Sequence, residues 1–148
     1  MFSKSCEYAI KAMIYIANNT KNSSTGKVGT KQIAKGIGAP ENFIAKILQD
    51  LSKRKLLHSA KGPNGGFYLT EEEKQRTLSD IIKAIDGDGF YVNCLLGLKV
   101  CSEKTPCPVH HQYKEIKQKL VYILDNNTIG QMNEKIESGK YFLKNLGL

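Results

Sequence analysis

Residues 30–69 read TKQIAKGIGAPENFIAKILQDLSKRKLLHSAKGPNGGFYL, and this stretch decides the fold. Thr30 is placed to cap a short helix over residues 31–35, which Gly36 closes. Pro40 then stands at a favourable first position of a second, longer helix. The apolar stripe of that second helix consists of Phe43, Ile44, Ile47, Leu48 and Leu51. Two helices joined by a tight glycine-containing link predict a helix-turn-helix.

Two short strand-like runs follow the helices at once. They cover residues 56–60 and 66–70, and the turn-forming sequence KGPNG lies between them over residues 61–65. A helix-turn-helix followed directly by a hairpin is typical of a winged helix. The predicted fold class is therefore mainly α (α+β), with a two-stranded wing and Lys61 at the base of that wing.

Helical periodicity also flanks this unit. A first helix ends at Asn18–Asn19, and residues 71–76 form a charged, solvated connector. Another helix is capped by Thr77 or Ser79 and ended by Gly87. The segment that follows has no helical period.

A long apolar stripe begins at about residue 109 and ends near residue 126, and a weaker pattern continues over residues 129–148. One small winged helix cannot cover a helix of that length. A partner helix from a second copy of the chain would cover it, so we predict a homodimer with a long C-terminal dimerisation helix.

The net excess of positive charge is confined to the first half of the chain. The 148 residues include 22 basic and 14 acidic side chains, and residues 1–70 hold eleven of the basic and three of the acidic ones. A localised positive field predicts a polyanionic partner, which for this fold is double-stranded DNA. The candidate DNA-contacting residues are Thr30, Lys31, Gln32, Asn42, Lys46, Gln49, Lys61 and Asn64.

Two of these residues are candidates for reading bases. Asn42 and Lys46 lie four residues apart on one helix face, opposite the apolar stripe. Asparagine pairs bidentately with adenine, and lysine donates to the acceptors of guanine. Gln49 is a weaker candidate on the same face. The residues that open the preceding helix, Thr30 to Gln32, are expected to hold phosphates.

Three of the four cysteines fall within fourteen residues, in the pattern Cys94-x6-Cys101-x5-Cys107-x2-His110. Thiolates are soft ligands, and three in one loop can converge on an iron–sulfur cluster, with two or four irons, or on zinc. The third possibility is redox-active thiols with no metal. Cys6 stands apart and is interpreted as a small, semi-buried side chain.

Several other classes of protein are disfavoured. The N-terminal apolar stretch is interrupted by charges, so we expect neither an export signal nor a membrane span, and we place the chain in the cytoplasm with reduced cysteines. The sequence has no Ser–His–Asp pattern, phosphate loop or dinucleotide fingerprint, which argues against an enzyme.

Taken together, these motifs resemble those of a known family. The segments SCEYAIKAM at 5–13, KGPNGGFYL at 61–69 and LSDIIKAIDG at 78–87, with the cysteine triplet, are similar to the IscR/NsrR/CymR family of dimeric winged-helix transcription regulators. The resemblance covers roughly residues 1–130. It implies a cytosolic repressor or activator, often with an iron–sulfur cluster that senses iron–sulfur status, nitric oxide or redox state. Some members bind no cluster and respond to cysteine metabolism through a protein partner.

The resemblance also implies roles for individual residues. Lys61 aligns with a basic residue that the family inserts into the minor groove. His110 fits the histidine of the two-iron member, and Glu7 aligns with an acidic residue that supplies a ligand across the dimer in the nitric-oxide sensor. Cluster-binding members usually have five residues in both gaps between cysteines. The extra residue in the first gap here can be absorbed by a loop that contains Gly97.

We therefore expect a DNA-binding transcription regulator, a repressor, whose affinity for its operator is set by an iron–sulfur cluster. The alternatives are a cluster-free regulator controlled by a protein or small-molecule partner, or a zinc- or thiol-based redox protein. The expected organisation is a winged-helix DNA-binding region at 1–76, a connecting helix and cysteine-rich sensor loop at 77–108, and a dimerisation helix with a C-terminal segment at 109–148.

Overall fold

Eight helices and one two-stranded antiparallel sheet make up the computed structural model, which describes residues 1–143. The prediction of a mainly α winged helix is confirmed, and residues 144–148 of the predicted terminal segment lie outside the described residues. The elements are α1 (Lys4–Asn19), a 3-10 turn (Thr20–Asn22), α2 (Thr30–Ile37), α3 (Glu41–Lys53), β1 (His58–Ala60), β2 (Gly66–Tyr68), α4 (Glu71–Lys74), α5 (Leu78–Asp86), α6 (Gly89–Val92), α7 (His110–Asp125) and α8 (Ile129–Glu137).

The hydrophobic core is built around α1. Ser3 caps this helix by accepting a hydrogen bond from the backbone N–H of Cys6 at 3.0 Å. Helices α2, α3, α5 and α8 all pack against α1. The fully buried large side chains of this core are Met13, Ile16, Val28, Ile33, Ile44, Leu48, Leu51, Leu57, Ile81 and Ile129.

Both predicted ends of α2 are wrong. Gly29 occupies the N-cap position, and Thr30 is the first helical residue. Gly36 does not close the helix but makes room for the ring of Tyr15: a Cβ at this position would lie 2.2 Å from Cε2 of that ring. The helix ends instead at Gly38, whose φ of 66° places it in the left-handed region that glycine tolerates.

The wing is a hairpin with a third backbone segment beside it. His58 pairs with Tyr68 and Ala60 with Gly66. The N–H and C=O groups of Phe67 both bond to Val28, each at 2.9 Å. Gly66 has a φ of 147°, and a Cβ there would lie 2.9 Å from the carbonyl oxygen of Val28. Glycine is thus required where the two segments meet, and the sequence pattern did not predict the contribution of Val28.

The charged connector at residues 71–76 is more ordered than predicted. It contains α4, and Glu73 is buried, with only 5% of its surface exposed. The carboxylate accepts hydrogen bonds from the backbone N–H and the hydroxyl of Thr70 and lies 3.0 Å from Nε2 of His58. The prediction of a solvated connector is therefore wrong for Glu73, which caps α4 and ties it to the base of the wing.

Helices α5 and α7 match their predicted bounds closely. Thr77 caps α5 and Gly87 ends it, while α7 spans the predicted long helix and ends at Asp125. On α7, Leu124 is buried in a second apolar cluster with Cys6 and Ile82. The side chains of Ile116, Tyr122 and Ile123 on the same helix are 57%, 69% and 51% exposed. None of the helices within residues 1–143 is both long enough and apolar enough to cross a membrane.

The chain returns to the core after α7. The N–H of Ile129 donates to the carbonyl of Arg76 at 3.0 Å, and Asn133 is buried with its Oδ1 2.9 Å from Nδ2 of Asn18. Helix α8 therefore packs on α1 rather than continuing the direction of α7.

Candidate DNA interface and metal site

The predicted DNA-contacting residues lie on α2, α3 and the wing. Seven of the eight are exposed and Thr30 is half-buried. Within residues 1–143, none of these eight side chains makes a hydrogen bond or an ion pair. Their polar groups are therefore free to bind an external partner. The exposed seven are Lys31, Gln32, Asn42, Lys46, Gln49, Lys61 and Asn64.

The start of α2 offers backbone donors as well. Gly29 at the N-cap has no side chain with which to satisfy the first amides of the helix. Uncapped N–H groups at a helix N-terminus attract anions, and Lys31 and Gln32 are exposed in the same turn. The following helix, α3, buries Ile44, Ile47 and Leu48 against the core and leaves Asn42 and Lys46 on its outer face.

Replacing Lys61 with alanine should weaken DNA binding and flatten its salt dependence. The exposed ammonium group at the wing is placed to neutralise one phosphate. The slope of log K against log salt concentration should fall by about one for each bound chain. Lys140→Ala removes the same charge from the C-terminal segment and serves as the control in the same titrations. An unchanged affinity and slope for Lys61→Ala would remove this residue from the interface.

The three clustered cysteines converge in space. The sulfur atoms of Cys94, Cys101 and Cys107 all lie within 4.8 Å of one another, and the Sγ atoms of Cys94 and Cys107 are 3.6 Å apart. Their site lies between the loop that follows α6 and the start of α7. The other side chains that line this site are Val92, Asn93, His110, Tyr113, Lys114 and Lys117.

The loop after Cys94 supplies backbone donors to sulfur. The N–H of Gly97 bonds to the carbonyl of Cys94 at 3.0 Å, and Gly97 adopts a φ of 69°. The chain turns back there, so Gly97 accommodates the longer first gap. Backbone N–H groups of Leu96 and Leu98 donate to the Cys94 sulfur and lower its pKa to about 7. A substantial fraction of this group is thus the thiolate, the form that binds metals, near neutral pH.

His110 lies beside the cysteines, at the first position of α7. Its Nδ1 atom is 3.1 Å from Sγ of Cys101, and its Nε2 atom is 3.1 Å from Oε1 of Glu103. Lys114, one turn further along α7, donates to the same carboxylate oxygen at 2.5 Å. Hydrogen bonds from Lys114 and His110 lower the pKa of Glu103 to about 2. Glu103 was not singled out by the sequence analysis, and its position two residues after a cysteine is the only sequence feature that points to it.

The other candidate ligands lie elsewhere in the chain. Glu7 is on α1, where it pairs with Lys4 at 3.2 Å, and it does not belong to the cysteine group of its own chain. A role for Glu7 across a dimer stays a prediction. Cys6 is fully buried, and burial raises its pKa to about 12. It is a neutral thiol in the apolar cluster with Ile82 and Leu124, and it is more completely buried than the predicted semi-buried side chain.

A hydrogen-bonded relay joins the cysteine loop to the helices on either side of it. The hydroxyl of Tyr91, on α6 and three residues before Cys94, donates to Oγ of Ser79 at 2.8 Å. Ser79, on α5, donates in turn to the carboxylate of Asp125 at the end of α7. Ser79 is buried at the centre of this relay, Asp125 is exposed at its end, and the bonds join the three helices at one point.

A helix-turn-helix with a wing, a basic outer face and a separate cysteine-rich loop defines a winged-helix transcription regulator rather than an enzyme. The chain matches the Rrf2 family, described as iron-dependent transcriptional regulators, over residues 2–135. The chain belongs to that family.

Similar proteins agree with this assignment. An HTH-type transcriptional regulator of Aquifex aeolicus is 39% identical over 132 residues, which cover 87% of this chain and 88% of the relative. Among solved structures, IscR of T. potens superposes with a TM-score of 0.71 at 23% identity, covering 96% of this chain and 92% of the other. CymR, the global cysteine regulator of B. subtilis, gives a TM-score of 0.70 at 21% identity, covering 91% and 97%. The two structural likenesses establish the shared fold.

Proposed function

We propose that the chain is a homodimeric repressor whose affinity for DNA is set by an iron–sulfur cluster bound by Cys94, Cys101, Cys107 and His110. The observation that carries this proposal is the convergence of three sulfurs from a single loop, with the imidazole of His110 in contact with one of them, Cys101. The family description as iron-dependent regulators supports iron as the element bound.

The donor set suits such a group. Soft thiolates are the preferred ligands of iron–sulfur clusters, and histidine replaces cysteine on some of them. Bound there, a cluster would supply a group that oxidants and nitric oxide can alter. Hydrogen bonds from backbone N–H groups to the Cys94 sulfur stabilise its thiolate. A single nitrogen ligand makes the site more labile than four thiolates would. Both properties suit a sensor.

The exposed apolar face of α7 supports the homodimer. Ile116, Tyr122 and Ile123 lie on the surface of this sixteen-residue helix. A second copy of α7 would cover them around a two-fold axis. Two winged helices would then face two half-sites on DNA, as dimeric helix-turn-helix proteins do.

The relay of Tyr91, Ser79 and Asp125 connects the cysteine loop to the helices that support the winged helix. A change at Cys94 acts on α6 through three residues of chain; Tyr91 of α6 is hydrogen-bonded to Ser79 of α5, which in turn is bonded to Asp125 at the end of α7. Because α5 packs on α1, a shift there alters the orientation of the winged helix relative to the dimer helix. Half-site spacing must match the DNA groove, so a small rotation changes affinity.

Zinc is the second candidate, and the compactness of the site favours it. Two sulfurs at 2.3 Å from one tetrahedral ion are about 3.8 Å apart, close to the observed 3.6 Å between Cys94 and Cys107. A zinc ion needs all of its ligand atoms at about this spacing, whereas a cluster distributes its ligands over more than one iron and only those on the same iron lie this close.

Anaerobic purification followed by analysis of iron, inorganic sulfide and zinc tests the proposal. We expect iron and sulfide with visible absorption, and a change in affinity for the DNA upstream of the protein's own gene when the cluster is removed. Protein that stays colourless after reconstitution would overturn the cluster. Stoichiometric zinc would favour the second candidate, DNA binding independent of any metal would favour control by a partner, and failure to bind any site specifically would favour a redox or metal-handling role.

A further inference from the structure

The carboxylate of Glu103 contacts the side of the His110 ring that faces away from the cysteines. Nε2 of the imidazole lies 3.1 Å from Oε1 of Glu103, while Nδ1 lies 3.1 Å from Sγ of Cys101. The partner of Nε2 is thus a carboxylate oxygen, and the partner of Nδ1 is the sulfur of a candidate metal ligand. The ring is held between them.

We propose that Glu103 is a positioning residue that accepts the Nε2–H of His110 and so directs Nδ1 at the metal. The inference rests on the proposed function, since it requires a metal or cluster at the three cysteines. An ionised carboxylate only accepts hydrogen bonds, so Nε2 must carry the proton for this contact to form. In the neutral ring Nδ1 then keeps its lone pair, which is what a ligand atom needs.

Glu103 is itself fixed in place. Lys114 donates to the same oxygen, Oε1, at 2.5 Å, and His110 and Lys114 are four residues apart on α7, where they share one face. The acid belongs to the loop between Cys101 and Cys107, whereas the histidine and the lysine belong to the helix. The contact therefore ties the ligand loop to the start of α7 as well as orienting the ring.

The neighbouring histidine offers a competing arrangement. Ligand atoms of Glu103, His110 and His111 also lie within 4.8 Å of one another, on the outer side of the site. A metal held by those three would leave the cysteines unused, and its ligands are more exposed. The closer packing of His110 against Cys101 favours the inner site, and the two sites differ in whether sulfur binds the metal.

Binding of Co²⁺ to the purified, metal-free full chain tests the proposal, because thiolate ligands give cobalt strong charge-transfer absorption whether the resident group is a cluster or zinc. Glu103→Ala should weaken cobalt binding about 10- to 100-fold, the usual effect of losing a carboxylate behind a ligating histidine. Glu103→Gln keeps an acceptor oxygen and should restore part of the loss. The sulfur charge-transfer bands should stay unchanged, and Glu115→Ala on the exposed face of α7 is the control.

A double-mutant cycle separates positioning from a general effect on the loop. If Glu103 acts through His110, Glu103→Ala should have no further effect on cobalt affinity in a His110→Ala background. Equal losses in both backgrounds, or no loss in the wild type, would overturn the positioning role while leaving the cysteine site intact. Cobalt that binds without sulfur bands would overturn both this inference and the proposed site, in favour of the outer cluster.

Discussion

Replacing Asn42 and Lys46 together with alanine is expected to reduce specific operator affinity by about 100-fold or more. Each good base contact is worth ~1–3 kcal/mol, so two lost contacts in a single half-site already cost about 3 kcal/mol, or about 100-fold, and the second half-site of a dimer adds to this loss. Both side chains are exposed on the outer face of α3 and have no hydrogen-bond partner within the described part of the chain. Their removal therefore leaves the fold intact, and the loss reflects missing DNA contacts.

Affinity for unrelated DNA provides the internal comparison for this variant. Only one of the two residues is charged, so non-specific binding should fall much less than operator binding. Competition between operator and random duplexes at one salt concentration measures both, and urea unfolding checks stability. An equal reduction on both duplexes would mean that these residues hold the backbone rather than read bases. Lys140→Ala again shows the effect of removing one distant charge.

The second large effect is expected at the cysteines. Cys107→Ala should leave less than about one-tenth of the wild-type metal after anaerobic purification, because a site of three thiolates and one imidazole loses a ligand that its loop cannot replace. Cys107 is the most buried of the three. Iron, sulfide and zinc per chain are the quantities to measure, together with visible absorption.

Cys6 supplies a matched control within the same chain. It is buried among apolar side chains, away from the three clustered sulfurs, and burial raises its pKa to about 12, so it is not a thiolate at neutral pH. Cys6→Ala should keep the full metal content and should lower stability only by the small cavity that it leaves. A loss of metal in Cys6→Ala equal to that in Cys107→Ala would show that the effect comes from unfolding and not from a missing ligand.

Local sequence patterns predicted the winged helix well because each element carries its own signals. The helical periodicity of apolar residues in α3, the turn sequence before Gly66 and the Thr77 cap of α5 are each defined by a few neighbouring residues. The errors arose where distant residues decide. Gly36 is a glycine because Tyr15 of α1 leaves no room for a side chain there, and not because the helix ends at it. Glu73 is buried because His58 and Thr70 hold its carboxylate.

The candidate metal site shows the same division. Cysteine spacing predicted the three sulfurs because they lie in one short segment, and the family resemblance added His110 or Glu7 as the fourth ligand. Glu103 could not be recognised in that segment, because its role depends on the direction in which the start of α7 presents the His110 ring. Val28 was missed for a similar reason: its pairing with Phe67 joins residues thirty-nine positions apart.

The return of α8 to α1 has a consequence for the order of synthesis. Ile129 is fully buried in the core that supports α2 and α3, so that core is incomplete until α8 has been made. Chains grow from the N-terminus, and domains fold as their residues emerge. By the time α8 leaves the ribosome, the cysteine loop and α7 have already been translated. The core beneath the winged helix is therefore completed only after the cysteine loop and α7 have been translated, and an interrupted product that stops before α8 lacks part of the core that supports α2 and α3.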